Sequence, residues 1–363
     1  MAGRAGRAGR AGRAGRAGRA GRAGRAGRAY SEGEDAALDS ALLTHREGIS
    51  PFWDGSHDLT PTSRADFERL RALAPIPREV VIDHRLFYKF VTSDAGGGTI
   101  GQVHCDLVSG PDPLVKLTEP ADTFFRDQLL HVQSYADLRE DRFDEIIVQT
   151  EDILSFFAAI LKIDLTYSEW IAELLEAVVR LCGYTEFPLK FIFDVPRPSQ
   201  LSARVVPMIE TPGHGAWPSG HGTESFAVAA VLCGLLHRWE AGDGTFRLLD
   251  VAVGGNHGAT MLLRTAMRIA DNRVVAGVHY PYDGVAGAAL GLAIGEAIVN
   301  YASAQAATLA YELLAPPAQN YELSEVVLKN QLQTTSRNFV RGPRDPLIIG
   351  LWDHAKDEMP SEK

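Results

Sequence analysis

Arg273-Val-Val-Ala-Gly-Val-His279-Tyr-Pro-Tyr-Asp283 reads as a junction between two helices. Apolar residues recur at helical spacing from about Ala259 to Ala276. Pro281 suits the first turn of a helix and not its interior, so a new helix opens there and continues past Tyr301. On that helix Gly284, Gly287, Gly291 and Gly295 line one side, which predicts a neighbouring helix packed closely against them. His279 and Asp283 are four residues apart and share a helical face. The carboxylate can then take the proton of one ring nitrogen, fix the tautomer and leave the other nitrogen free.

Two further segments complete a pattern. Pro218-Ser219-Gly220-His221 reads as the start of a helix running to about His237, with Pro218 tolerated at the opening and free N–H groups presented at its end. Lys190-Phe-Ile-Phe-Asp-Val-Pro-Arg197-Pro198 supplies two cations, and Arg273 a third. A tetrahedral oxyanion needs such groups: guanidinium forks, neutral donors such as Ser219 and the Gly220 N–H, and a place to attach. His279 offers that place, its free nitrogen able to bond phosphorus or vanadium. His221 can serve from the opposite side as acid or base, because histidine titrates near neutrality.

Outward from these segments the chain reads as mainly α. Phe143, Ile146, Ile147, Ile153, Leu154, Phe157, Ile160 and Leu161 predict one face of a long helix, and Trp170, Ile171, Leu174, Leu175, Val178 and Val179 a second. Four regions follow: an Ala-Gly-Arg tract over 1–29 expected to be disordered, a mixed wrapping layer over 30–118, a helical catalytic domain over 119–315, and an extension over 316–363 packed on the bundle before it frays. Within the mixed layer, Glu79–Ile82 and Leu86–Val91 are predicted to be extended, and Asp94-Ala-Gly-Gly-Gly98 and Ser109-Gly-Pro-Asp-Pro113 to turn.

The three segments resemble the signature of the vanadium haloperoxidase and type 2 phosphatidic acid phosphatase (PAP2) superfamily. Arg197-Pro-Ser199, Pro207-Met-Ile-Glu-Thr-Pro-Gly-His-Gly215 and Arg268-Ile-Ala-Asp-Asn-Arg273 are similar to its soluble bacterial haloperoxidase-type members. The resemblance, over roughly Glu119 to Ala315, implies a helical bundle of that type and a bound vanadate, in a site that also accepts phosphate. It implies that His279 ligates the vanadium, or is the nucleophile if the substrate is a phosphate ester. His221 is then the acid–base residue, and Lys190 polarises bound hydrogen peroxide. Arg197, Arg273, Ser219 and the Gly220 N–H hold the oxygens. The implied reaction oxidises a halide to a hypohalous acid equivalent, with or without a small organic acceptor. His214, seven residues before His221, stands where bromide-preferring members carry histidine, which favours bromide or iodide. Asn272 in place of serine and Gly222 in place of alanine depart from the pattern. The alternative is a soluble phosphatase; a protein that only sequesters the anion would have no use for His221 or Asp283.

Composition narrows the partners. Of 36 basic residues nine are the arginines of the 1–29 tract, so the remainder of the chain sets 27 against 46 acids, a balance of −19. That field repels nucleic acid and anionic membrane, and neither is expected as a main partner. Cys105, Cys182 and Cys233 are too scattered for a disulfide framework and are expected as small core residues. Val285 to Val299 carries Glu296, and no stretch reads as a membrane span or signal peptide, so a cytoplasmic enzyme is expected, and a homodimer.

Overall fold

The computed structural model describes residues 36–49, 64–316 and 322–360. The Ala-Gly-Arg tract and its expected disorder lie outside them. The chain divides at Ala72 into two units. Of the first, helices α1 (Ala36–Ile49) and α2 (Asp66–Arg71) are described. The second, from Leu73 on, contains the three segments quoted above.

That unit opens with α3 (Pro75–Phe87), followed by strands β1 (Phe90–Asp94), β2 (Ile100–Cys105) and β3 (Val115–Thr118). The extended reading of Glu79–Ile82 is corrected: these residues are helical. Pro75 and Pro77 sit in the opening turn of α3, and Arg78, Ile82 and Leu86 fall four apart on its buried face. That period outweighs the strand propensity of the Val80-Val81-Ile82 run. Asp94 closes the β1–β2 turn by accepting the Gly96 and Gly98 N–H groups (2.9 and 2.8 Å).

Helices α4 (Asp122–Asp127), α5 (Leu129–Tyr135), α6 (Arg139–Val148) and α7 (Leu154–Leu161) come next. The single long helix expected over 143–161 is two helices. Asp152 accepts the Ser155 N–H (3.0 Å) and starts α7 afresh, and Phe143, Ile147 and Val148 are exposed. Gln149, at the break, is buried.

The core is made by α8 (Glu169–Phe193), the short α9 (Pro198–Leu201), α10 (Gly220–Leu236), α11 (Leu248–Val253), α12 (His257–Val275) and α13 (Pro281–Ala302). The glycine ridge of α13 meets α10 as expected. A Cβ on Gly287, Gly291 or Gly295 would stand 2.6, 2.2 or 2.7 Å from the carbonyl oxygens of Ser219, Thr223 and Ala227, while Gly284 faces Leu323 and Ala270 instead. All three cysteines are buried.

After α13 the chain forms β4 (Ala307–Leu313), α14 (Glu325–Gln331), β5 (Leu332–Asn338) and α15 (Pro346–Glu358). The five strands make one sheet in the order β1 to β5, antiparallel except for β3 against β4. Among the described residues the protein is thus mainly helical, 58% by residue, with a small mixed sheet. Among the described residues, α13 is the helix long and apolar enough to cross a membrane, and 94% of its most apolar window is buried inside the protein. Its Glu296 accepts the Leu248 N–H (2.9 Å) and the Tyr311 hydroxyl (2.8 Å), tying the start of α11 and strand β4 to the core.

Candidate active site

The three segments meet where α8 and α12 end and α10 and α13 begin. Each is turned there by local chemistry. Asp194, in the left-handed region at φ 47°, ends α8 by donating its N–H to Lys190 O (3.0 Å), and the chain doubles back to Arg197. Gly277, at φ 80°, makes the turn between α12 and α13 that an L side chain rarely adopts. The Ser219 N–H donates to Asp283 O (3.0 Å), locking the start of α10 to the start of α13.

Lys190, Arg197, Ser219, Arg273, His279 and Asp283 are brought together and are each 5% exposed or less. His279 Nδ1 lies 2.8 Å from Asp283 Oδ2, which also accepts the Tyr280 N–H (3.0 Å). On the other edge of the ring, Arg197 Nη1 is 2.9 Å from Nε2. A guanidinium can only donate, so Nε2 carries the lone pair and Nδ1 the proton. This is the arrangement expected from the four-residue spacing.

Arg197 also bonds Val278 O (2.7 Å) and, through Nε, His214 O (3.1 Å), with Nη2 3.2 Å from His214 Nδ1. His214 is exposed, its ring edge-on to Phe187 at the rim. Lys190 donates from Nζ to Pro218 O. Arg273 is held by Ile146 O (3.0 Å) and Gln149 Oε1 (3.2 Å) through Nη2 alone, and its Nε and Nη1 have no partner. Buried guanidinium N–H groups left unpaired are costly, and an anion is what satisfies them. The Ser219 hydroxyl caps α10 by accepting the Gly222 N–H (3.2 Å).

His221 lies 2.8 Å from Gln149 O through Nε2. A carbonyl can only accept, so Nε2 keeps its proton and Nδ1 is the atom free to exchange one. His221 is half-buried, and desolvation followed by the Arg273 charge pushes it down to about 3. His279 is held well below its ordinary value by burial and then by Arg197 and Lys190. Burial lowers Arg197 and Arg273 to about 10 and raises Asp283 to about 7. The histidine and arginine shifts share one sense, positive charge crowded and dehydrated, which a bound anion relieves; the Asp283 shift reflects dehydration of its own negative charge.

Three participants carry no motif. Gln149 joins both halves, its carbonyl on His221 and its side chain on Asn272 (2.9 Å) and Arg273. Asn272 is thereby placed outside the cradle as a support, between Gln149, Glu145 and Arg142. Glu186 and Glu224 are carboxyl groups acting directly on the cradle cations, Glu186 on Lys190 and Arg197, Glu224 on Lys190 and Arg273. Desolvation raises both. Glu186 is four residues before Lys190 and Glu224 three after His221, so helical spacing alone would have put them on the site's face. At Gly220, expected to admit a ligand, the close neighbour is Glu186: its Oε1 lies 2.6 Å from where a Cβ would stand.

Among the described residues no group of three or more His, Cys, Asp or Glu side chains could hold a metal ion. A separate surface groove of about 650 Å³, lined by Lys89, Asp106, Tyr301 and Arg344 among others, contains none of these residues. Its Arg344 is engaged with the last carbonyls of α13, Tyr301 O (3.1 Å) and Ala302 O (2.8 Å).

Residues 172–306 match the family model of the PAP2 superfamily, a span that holds all three segments and falls short of half the chain. No curated protein matches the chain.

Proposed function

We propose that this cluster is an oxyanion site whose covalent acceptor is His279 Nε2, and that its reaction is hydrolysis of a phosphoric ester. The observation that carries the reading is the oriented pair: Asp283 accepts the hydrogen bond of the Nδ1–H while the Nε2 lone pair faces the cations. Arg197, Arg273 and Lys190 neutralise the phosphoryl oxygens as charge builds in the transition state, and Ser219 and the Gly220 N–H add neutral donors. Nε2 forms the bond to phosphorus as the ester oxygen leaves with its electron pair and takes a proton from His221 Nδ1. A water then gives its proton back to His221 Nδ1, and its oxygen displaces Nε2 to release phosphate. Protonated His221 is scarce in the empty site, because burial and then the Arg273 charge oppose it; a dianion beside Arg273 removes the second of these.

Halide oxidation with vanadate is the second reading, favoured by His214 standing at the rim against Arg197. The unpaired Arg273 donors and the His279 Nε2 lone pair suit vanadate as well as phosphate. Lys190, Arg197, Arg273, Ser219 and Gly220 would hold its oxygens and His279 its metal, and it would supply Lewis-acid activation of peroxide. We put this reading second because Glu186, Glu224 and Asp283 stand among the three cations, and each that is ionised weakens the potential that would draw a halide in beside the anion.

One set of assays separates the readings. The chelator-stripped protein is expected to hydrolyse p-nitrophenyl phosphate, with orthovanadate inhibiting and His279→Ala inactive. Vanadate-dependent bromination with peroxide and no ester hydrolysis would install the second reading. A His221→Ala variant that keeps phosphate affinity, with neither activity in the parent, would leave only an anion-binding protein.

A further inference from the structure

Glu186 is an acceptor in a place built for an anion. It is buried on α8 one turn before Lys190, and its Oε2 has no hydrogen-bond partner. Its Oε1 rests against Gly220 so closely that only a hydrogen fits between the carboxyl and the start of α10. Lys190 and Arg197 face it from α8 and the turn beyond, and Glu224 from α10. Arg273 from α12 acts on Glu224, Asp283 from α13 acts on Lys190, and Lys190 in turn acts on His214 and His221.

A carboxylate and a fully ionised oxyanion repel, and Oε2 stays unsatisfied. One proton between them turns the contact into a charge-assisted hydrogen bond. An anion that brings its own hydroxyl supplies that proton; one that has none cannot. We propose that Glu186 is a specificity residue that makes the cradle select tetrahedral oxyanions bearing an ionisable hydroxyl, such as phosphate, vanadate or the monoanion of a phosphate ester, over anions of the same shape and charge without one, such as sulfate. The inference rests on the oxyanion reading above, and specificity here is a difference between two affinities of one site.

Calorimetric titration of the full chain with inorganic phosphate and with sulfate at about pH 8 tests it, in the parent and in Glu186→Gln. The parent is expected to prefer phosphate by about a hundredfold, the scale of one buried acceptor left unpaired. In Glu186→Gln the amide N–H can donate to either anion, so sulfate gains and the preference falls below about tenfold. Circular dichroism checks that the variant is folded. A second arm needs no variant: on lowering the pH to about 5.5 the carboxyl takes up a proton itself, and the parent's preference should narrow. Equal binding of both anions by the parent at about pH 8 overturns the proposal, as does a folded Gln variant that keeps the full preference. If phosphate binds without preference, this inference falls alone. If neither anion binds, the oxyanion reading falls and takes it along.

Discussion

Replacing Gly287 by alanine puts one methyl group between the two helices that carry the candidate site. Its Cβ would stand 2.6 Å from Ser219 O, 3.0 Å from Thr223 N and 3.1 Å from Gly222 C, all backbone atoms that no rotamer change can move aside. The first distance is about 0.4 Å short of the 3.0 Å that real Cβ contacts respect, so α10 and α13 must separate by at least that much. Overpacking of this kind costs about 1–3 kcal/mol. The gain in helix propensity from Gly to Ala returns up to ~1 kcal/mol. The net loss of about 1–2 kcal/mol should lower the melting temperature by roughly 3–6 °C in a unit of this size. The displaced atoms belong to Ser219 and its neighbours, and misplacement of a site by about 1 Å can cost about a hundredfold in rate. A shift of some 0.4 Å is therefore expected to cost about tenfold in turnover of a phosphate ester. Gly183→Ala is the control, because its Cβ on α8 would meet only the Phe187 ring at 3.6 Å and 3.9 Å. That variant should be unchanged or stabilised by up to ~1 kcal/mol, with full turnover. Thermal unfolding and steady-state rates of the two variants read the contrast directly. A Gly287→Ala protein that melts at or above the parent temperature, with parental turnover, refutes the helix packing described here.

Arg273→Ala should weaken phosphate binding at least about tenfold, since two charge-assisted donors are lost, yet leave unfolding stability unchanged or raised, because the empty site buries an unpaired guanidinium; a large stability loss with normal phosphate affinity in calorimetry would contradict it. Both bonds to Asp283 are taken by Oδ2, so Asp283→Asn can accept both with its amide oxygen and keep the tautomer. Ester hydrolysis should consequently fall by about tenfold or more further in Asp283→Ala than in Asp283→Asn, and equal rates in the two would remove the orienting role. Burial lifts the Glu296 carboxyl to about 8 in the fold, well above its ordinary value. Between those values the folded state binds the extra proton, so this group's stabilisation is present at about pH 4 and is lost as the pH rises toward 8. Urea unfolding at several pH values should show a shallower decline in Glu296→Gln than in the parent, and parallel curves would show that Glu296 does not titrate in that way.

The sequence was most legible where periodicity and punctuation agree. Pro281 opens α13, the α10 and α12 stripes lie where their apolar spacing places them, and the ridge of Gly287, Gly291 and Gly295 meets its neighbour as expected. The His279–Asp283 pair was legible because four residues on one face fix its geometry before any tertiary contact forms. The sheet was not legible. Ala307-Thr-Leu-Ala-Tyr-Glu-Leu313 has a helix-tolerant composition, and it is a strand because β5, distant β3 and the Tyr311–Glu296 bond hold it extended. The break between α6 and α7 was hidden for a related reason: Asp152 restarts the helix while the apolar spacing runs on through it. Gln149, Glu186 and Glu224 stand outside every motif; helical spacing from Lys190 and His221 offers the two glutamates, while the place of Gln149 follows only from packing beside Arg273.

The central claim is that His279 Nε2 bonds covalently to the oxyanion, and one measurement reaches it most directly. The protein is mixed with a phosphate ester, quenched in alkali within the first turnover, digested, and its peptides are analysed by mass spectrometry. The account predicts an acid-labile phosphoryl group on the peptide carrying His279, absent from His279→Ala and, with a p-nitrophenyl ester whose leaving group needs no proton, enriched when His221 is replaced, because water attack is then slowed. Steady ester hydrolysis with no phosphoryl group on that peptide, or with the group on another residue, would contradict it.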